Sequence, residues 1–73
     1  MARIEVKAEV TGKIWKVLLP VGSRADADDT LLVVESMKME IPVQCEAAGV
    51  VVELRAGEGD AVEEGQVVAI VET

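Results

Sequence analysis

The 73-residue chain has no histidine, no tyrosine and no phenylalanine, and its only aromatic residue is Trp15. Without histidine it lacks the commonest general base and metal ligand. Cys45 is the single cysteine, so there is neither an intramolecular disulfide nor a CxxC metal pair. With no histidine to activate it, Cys45 reads as a small buried apolar residue rather than a catalytic thiol. No apolar run approaches the roughly 20 residues that span a bilayer. Met1-Ala2-Arg3 leads straight into alternating sequence, with no apolar signal segment. Positive charge is also scarce: 7 Lys+Arg stand against 14 Asp+Glu, a net charge of −7. Phosphate contacts need a basic face, so nucleic acid is excluded as a partner. The acidic residues are dispersed, which argues for a solvated surface rather than a disordered acidic tail. The expectation is a soluble, cytoplasmic chain with no nucleic-acid or membrane partner, and a start at Met1 favours a separate protein.

What is present is a repeat. Shifted by 37 residues, the chain lies on itself without a gap. Seven identities result: Ile4/Ile41, Val6/Val43, Glu9/Glu46, Gly12/Gly49, Gly22/Gly59, Val34/Val71 and Glu35/Glu72. Composition alone would give roughly three, so the coincidence of glycine punctuation and hydrophobic phase is the stronger sign. Arg3 to Val10 alternates strictly, with Ile4, Val6, Ala8 and Val10 on one face; Ile41, Val43 and Cys45 repeat the pattern. After Gly12 and Gly49 come strands over Lys13–Leu19 and Val50–Arg55. There Glu53 and Arg55 set the outward phase, so Val52 and Leu54, and by the repeat Trp15 and Val17, are expected inside, with Trp15 as plain core. Short strands follow near Arg24-Ala25 and Ala61-Val62. The turn Glu64-Gly65-Gln66 has its counterpart in Ala27-Asp28-Asp29, where Asp28 can adopt the left-handed backbone that glycine favours. The last strands are Thr30–Ser36 and Val67–Glu72.

Eight short strands and no helical pattern predict an all-β flattened barrel or sandwich of two quasi-twofold-related four-strand halves, residues 1–73 forming one domain. The termini would lie at one end and the seam between the halves at the other. A domain this small buries only about 60% of its unfolded surface, which suits an exposed attachment point better than an enclosed active site.

The seam is Ser36-Met37-Lys38-Met39. Met37-Lys38 falls between two strands at the spacing of a tight hairpin, where Asn-Gly or Asp-Gly is the usual choice. A broken local rule of this kind points to function. By itself Lys38 would be a solvated turn lysine. Between two methionines, at the seam of a repeat whose other copy has Met1 at the same place, it is the one amine that the repeat singles out. Gly57, Gly59 and Gly65 do not follow the phosphate-binding G-x-x-x-x-G-K pattern and read as turn glycines.

Glu35-Ser36-Met37-Lys38-Met39-Glu40 resembles the attachment motif of biotinyl domains, in which the lysine between two methionines is biotinylated. Gly12-Lys13-Ile14-Trp15-Lys16-Val17, Ala48-Gly49-Val50-Val51 and the segment from Gly57 to Gln66 resemble the same family, so the similarity covers essentially the whole chain. The nearest group is the short free-standing biotin/lipoyl attachment proteins, relatives of biotin carboxyl carrier domains. The resemblance implies a barrel-sandwich hybrid fold and a non-catalytic carrier. Biotin would be attached covalently to Lys38 by a biotin protein ligase, with Met37, Met39, Ser36, Glu35 and Glu40 forming the hairpin that the ligase reads. Biotin carboxylase and carboxyltransferase components would be the further partners. An ordinary lysine is almost wholly protonated near neutral pH, so activation of the acyl group would fall to the ligase. Two features depart from the family: Ser36 stands where many members have alanine, and no insertion supplies the protruding thumb that some carriers possess. Lipoate on the same lysine is an alternative, although lipoyl domains typically place an acidic residue before the lysine and a small one after it. An unmodified structural or adaptor module is the alternative from another class.

Overall fold

The computed structural model describes residues 2–73, and all eight expected strands are present, with no helix among the described residues. They are β1 (Arg3–Lys7), β2 (Gly12–Val17), β3 (Arg24–Ala25), β4 (Thr30–Ser36), β5 (Met39–Gln44), β6 (Gly49–Leu54), β7 (Ala61–Val62) and β8 (Val67–Glu72). Two antiparallel four-stranded sheets result, in the orders β1-β8-β6-β3 and β5-β4-β2-β7. Advancing each strand by half the chain converts the first order into the second. Each sheet draws two strands from each half, so neither half can close a sheet alone.

The duplication extends to single backbone hydrogen bonds. Gly22 N donates to Val51 O (2.7 Å), and its counterpart Gly59 N donates to Ile14 O (2.8 Å). Likewise Asp28 N donates to Cys45 O (2.7 Å) and Gly65 N to Ala8 O (2.8 Å). Gly22 and Gly59 both have positive φ, 95° and 88°, as do Asp28 at 71° and Gly65 at 87°. Asp28 therefore occupies the left-handed position of its glycine twin, and the turn is closed by Asp29 Oδ2 accepting from Asp26 N (2.9 Å).

Alternation is set by burial. Val6, Ala8, Val43 and Cys45 enter a core completed by Ile14, Leu31, Leu32, Val34, Val51, Val68 and Val71, and no polar residue is buried among the described residues. Cys45 is fully enclosed, with its thiol donating to Ala47 O (2.7 Å). Val10, Val17, Leu19 and Leu54 pack against this core from partly buried positions.

The strand phase departs from simple alternation at several register shifts, and two equivalent ones change which residues face the core. Trp15 is 50% exposed rather than core, and Val52 is only half-buried, whereas their neighbours Ile14 and Val51 are sealed inside. A register shift falls between Ile14 and Lys16 in β2, and another between Val51 and Glu53 in β6. Each is a β-bulge: one extra residue enters the strand, and the alternation slips by one. Counting inward from Glu53 and Arg55 across the bulge therefore assigns Val52 and Trp15 to the wrong face.

The molecule measures 36 × 17 × 17 Å. The termini meet through Thr73 N donating to Ala2 O (2.8 Å) and the Arg3–Glu72 ion pair (3.2 Å). They occupy the place in the first sheet that the β4–β5 hairpin occupies in the second. Met1, the counterpart of Lys38, lies outside the described residues.

Candidate functional site

β4 and β5 are paired to their ends: Val34 faces Ile41, Glu35 faces Glu40 and Ser36 faces Met39. Only Met37 and Lys38 remain to turn the chain, and both have positive φ, 50° and 67°. A two-residue hairpin of the type I′ kind requires this of both central residues, because its twist then matches that of the strands. For residues with a β-carbon, the left-handed region costs on the order of 1–2 kcal/mol each. The ladder of six register pairs from Thr30↔Gln44 to Ser36↔Met39 holds the turn in that state. Backbone strain at an exposed tip, with an easier residue choice available, is the kind of outlier that accompanies function.

The side chains at the tip are held away from the body. Met37 is 94% exposed, Met39 is 62% exposed, and Lys38 is exposed between them. Both methionines thus lie outside the core, one on either side of Lys38 in the chain. Lys38 makes no ion pair among the described residues. Two methionines in open water retain apolar surface that the fold does not use, and their unbranched, polarizable side chains adapt readily to a partner.

Beneath the tip, Ser36 is half-buried and its hydroxyl donates to Thr11 O (2.9 Å). Thr11 Oγ1 in turn accepts from Glu64 N (3.1 Å). The hairpin is thereby tied to the β1–β2 turn and to the second half. Thr11 was not legible as part of the site; the only signal was its place beside the turn glycine Gly12. At Gly12 the strands approach so closely that a β-carbon would stand 2.3 Å from Glu35 O. Glu35 and Glu40 are exposed and directly opposite each other, with Lys13 on the far side of Glu35. Like charges in that relation disfavour the pairing, so this acidic pair is another feature that the fold itself does not require.

All six residues singled out from the sequence, Glu35 to Glu40, are therefore gathered on one hairpin. No cluster of His, Cys, Asp or Glu among the described residues could hold a metal ion. No helix among them is long and apolar enough to cross a membrane.

Comparison with known proteins agrees with this geometry. Residues 6–71 match the biotin/lipoyl family described as "Biotin-requiring enzyme". The biotin/lipoyl attachment protein of Bacillus subtilis is 39% identical over 62 residues, covering 85% of this chain and 85% of that protein. A dihydrolipoyllysine-residue succinyltransferase component of the 2-oxoglutarate dehydrogenase complex, from Staphylococcus saprophyticus, is 42% identical over 60 residues, covering 82% of this chain and 14% of that protein. Among solved structures, the urea carboxylase of Kluyveromyces lactis superposes with a TM-score of 0.92 at 32% identity, covering 99% of this chain and 6% of that one. The chain thus spans most of its short relative but as little as 4% of the longer relatives it matches. The eight-stranded duplicated fold, the exposed lysine at its seam and the match over nearly the full length agree: this chain belongs to the biotin/lipoyl attachment domain family, whose members are carriers rather than catalysts.

Proposed function

We propose that this chain is a biotin carboxyl carrier, loaded on Lys38 by a biotin protein ligase. The observation that supports this best is the Met37-Lys38 turn, where two left-handed residues present one amine between two exposed methionines. In loading, the Lys38 Nζ attacks the acyl carbon of biotinyl-adenylate. An amide bond forms, the bond to the adenylate breaks, AMP leaves, and the amine gives up a proton. Glu35, Ser36 and Glu40 shape the hairpin that the ligase reads.

Once loaded, the carrier brings the biotin ring to a biotin carboxylase, where it takes up a carboxyl group, and then to a carboxyltransferase, where it gives that group up. Tethering raises the effective concentration of the ring at both sites, into the mM range for a short flexible link. The 73 residues act as one carrier module, and we place that module in the cytoplasm.

Lipoate on the same lysine is the second reading, supported by the similarity to the dihydrolipoyllysine-bearing protein. Incubation with purified biotin ligase, biotin and ATP should add a single biotin, taking the net charge from −7 to −8 as one ammonium becomes an amide. Lys38→Ala should abolish labelling while shifting stability by no more than about 0.5 kcal/mol, because the side chain is exposed. Peptide mapping that found the label on Lys7, Lys13 or Lys16 would refute the assignment. Lipoylation by a lipoate ligase under conditions where the biotin ligase leaves the chain unlabelled would establish the second reading instead.

A further inference from the structure

The two sheets are built to one plan, yet their outward faces differ. In the first sheet, Glu53 and Glu5 flank Ile70, and Arg55 donates a hydrogen bond to Glu53. That bond, and then the charge of Glu53, raise the Arg55 pKa above its ordinary value. Ile70, the outward apolar residue of that row, is only 7% exposed.

The corresponding positions of the second sheet carry Lys16 for Glu53, Pro42 for Glu5, Leu18 for Arg55 and Val33 for Ile70, with Trp15 at the bulge where the first sheet has Val52. Trp15 is 50% exposed, Leu18 is 44% exposed, Pro42 is exposed and Val33 is half-buried. Since the same fold is satisfied by charged residues on one side, folding does not demand an apolar surface on the other. Exposed apolar surface that the fold does not need marks an interaction site. Tryptophan is among the residues enriched at binding hot spots.

The apolar face belongs to the sheet that carries the lysine tip. Pro42 lies four residues from Lys38 along β5, about 13 Å at strand spacing. One partner's share of a standard interface is about 800 Å², a disc of roughly 16 Å radius. A protein seated over the tip and resting on this sheet therefore reaches the row formed by Lys16, Val33 and Pro42, which borders Trp15 and Leu18 on β2 and its extension. Charge indicates the character of its rim. Lys13 and Lys16 bracket Trp15 on β2, and neither is in an ion pair among the described residues, on a chain of net charge −7. An acidic edge on the partner complements them.

We infer that this face is the docking surface for the ligase that modifies Lys38, with an apolar centre on the ligase set against Trp15 and Leu18 and acidic groups opposite Lys16. The inference rests on the proposed loading reaction. The unmodified enzyme substrate argues for the ligase over the later client enzymes: a bare amine reaches no farther than its own side chain, so the ligase must come down onto the sheet. A cofactor arm lengthens that reach and relaxes the need.

The test is the initial rate of labelling by purified biotin ligase as a function of carrier concentration. Trp15→Val with Leu18→Arg installs the residues that the duplicate already carries. This double variant should fold, should raise KM by roughly thirtyfold, the loss that marks a hot spot, and should leave kcat unchanged. Lys16→Glu should raise KM at low salt and weaken its dependence on ionic strength. Arg55→Leu, the matching change on the other sheet, should leave KM unaltered. Parent-like KM in both the double variant and Lys16→Glu would overturn the inference. So would sedimentation of the unmodified parent as a dimer that Leu18→Arg dissociates, since a second copy would then be the occupant. Failure of the parent itself to be labelled would instead count against the loading reaction.

Discussion

Comparing the two halves separates what the fold requires from what it merely permits. They agree at Gly12 and Gly49, where a β-carbon would meet Glu35 O at 2.3 Å and Glu72 O at 2.5 Å. They agree at Gly22 and Gly59, at Asp28 and Gly65, and at the bulges that turn out Trp15 and half-expose Val52. They disagree at the hairpin tip, where one half presents Met37-Lys38, and on the outer faces of the sheets. Asp28 shows how the fold manages a left-handed residue for its own sake: a tolerant residue type in a turn closed by the neighbouring Asp29 carboxylate. Met37 and Lys38 have no such side-chain support.

The largest effect should come from the bulges. Val51→Asp buries a carboxylate in a sealed core and should cost at least about 3 kcal/mol, enough to unfold a marginal 73-residue domain. Val52→Asp, one residue along but only half-buried, should remain folded and lose about 1 kcal/mol or less. Urea denaturation followed by circular dichroism measures both. A folded Val51→Asp beside an unfolded Val52→Asp would show that the bulge is misplaced.

The close approaches should give an intermediate effect, equal in the two halves. Gly12→Ala and Gly49→Ala each push a methyl group against a backbone carbonyl and should cost about 1–3 kcal/mol, the range of overpacking. The same melts report them. A cost confined to one of the two would break the equivalence of the sheets.

The smallest effect should be a gain. Met37→Asn with Lys38→Gly supplies the residues preferred in a type I′ turn and relieves the strain at position 38 and part of that at position 37, partly offset by the added freedom of glycine in the unfolded chain, at the loss of almost no packing. Stability should rise by about 1–2 kcal/mol, while labelling disappears. No rise in melting temperature would mean that the tip stores no strain.

Much of this was legible in the sequence. The 37-residue repeat, the strand order along the chain and the place of Lys38 at the seam follow from hydrophobic alternation and glycine punctuation, both local signals. Asp28 in the place of Gly65 was also readable, because few side chains tolerate that backbone. Trp15 and Val52 were not readable, because a bulge leaves no mark of its own among adjacent apolar residues: Ile14 and Trp15 are neighbours on opposite sides of the sheet, and Val50, Val51 and Val52 are one residue type with three different burials.

The residues by themselves determined that the chain is a duplicated all-β domain with one amine at its seam, since turn chemistry and period-two alternation act over a few residues at a time. Only the tertiary structure decided which valine of β6 enters the core, that Ser36 is tied to Thr11, and that Trp15 faces outward on the lysine-bearing sheet. Those outcomes depend on register between strands far apart in the chain, and register is settled when two sheets close over one core.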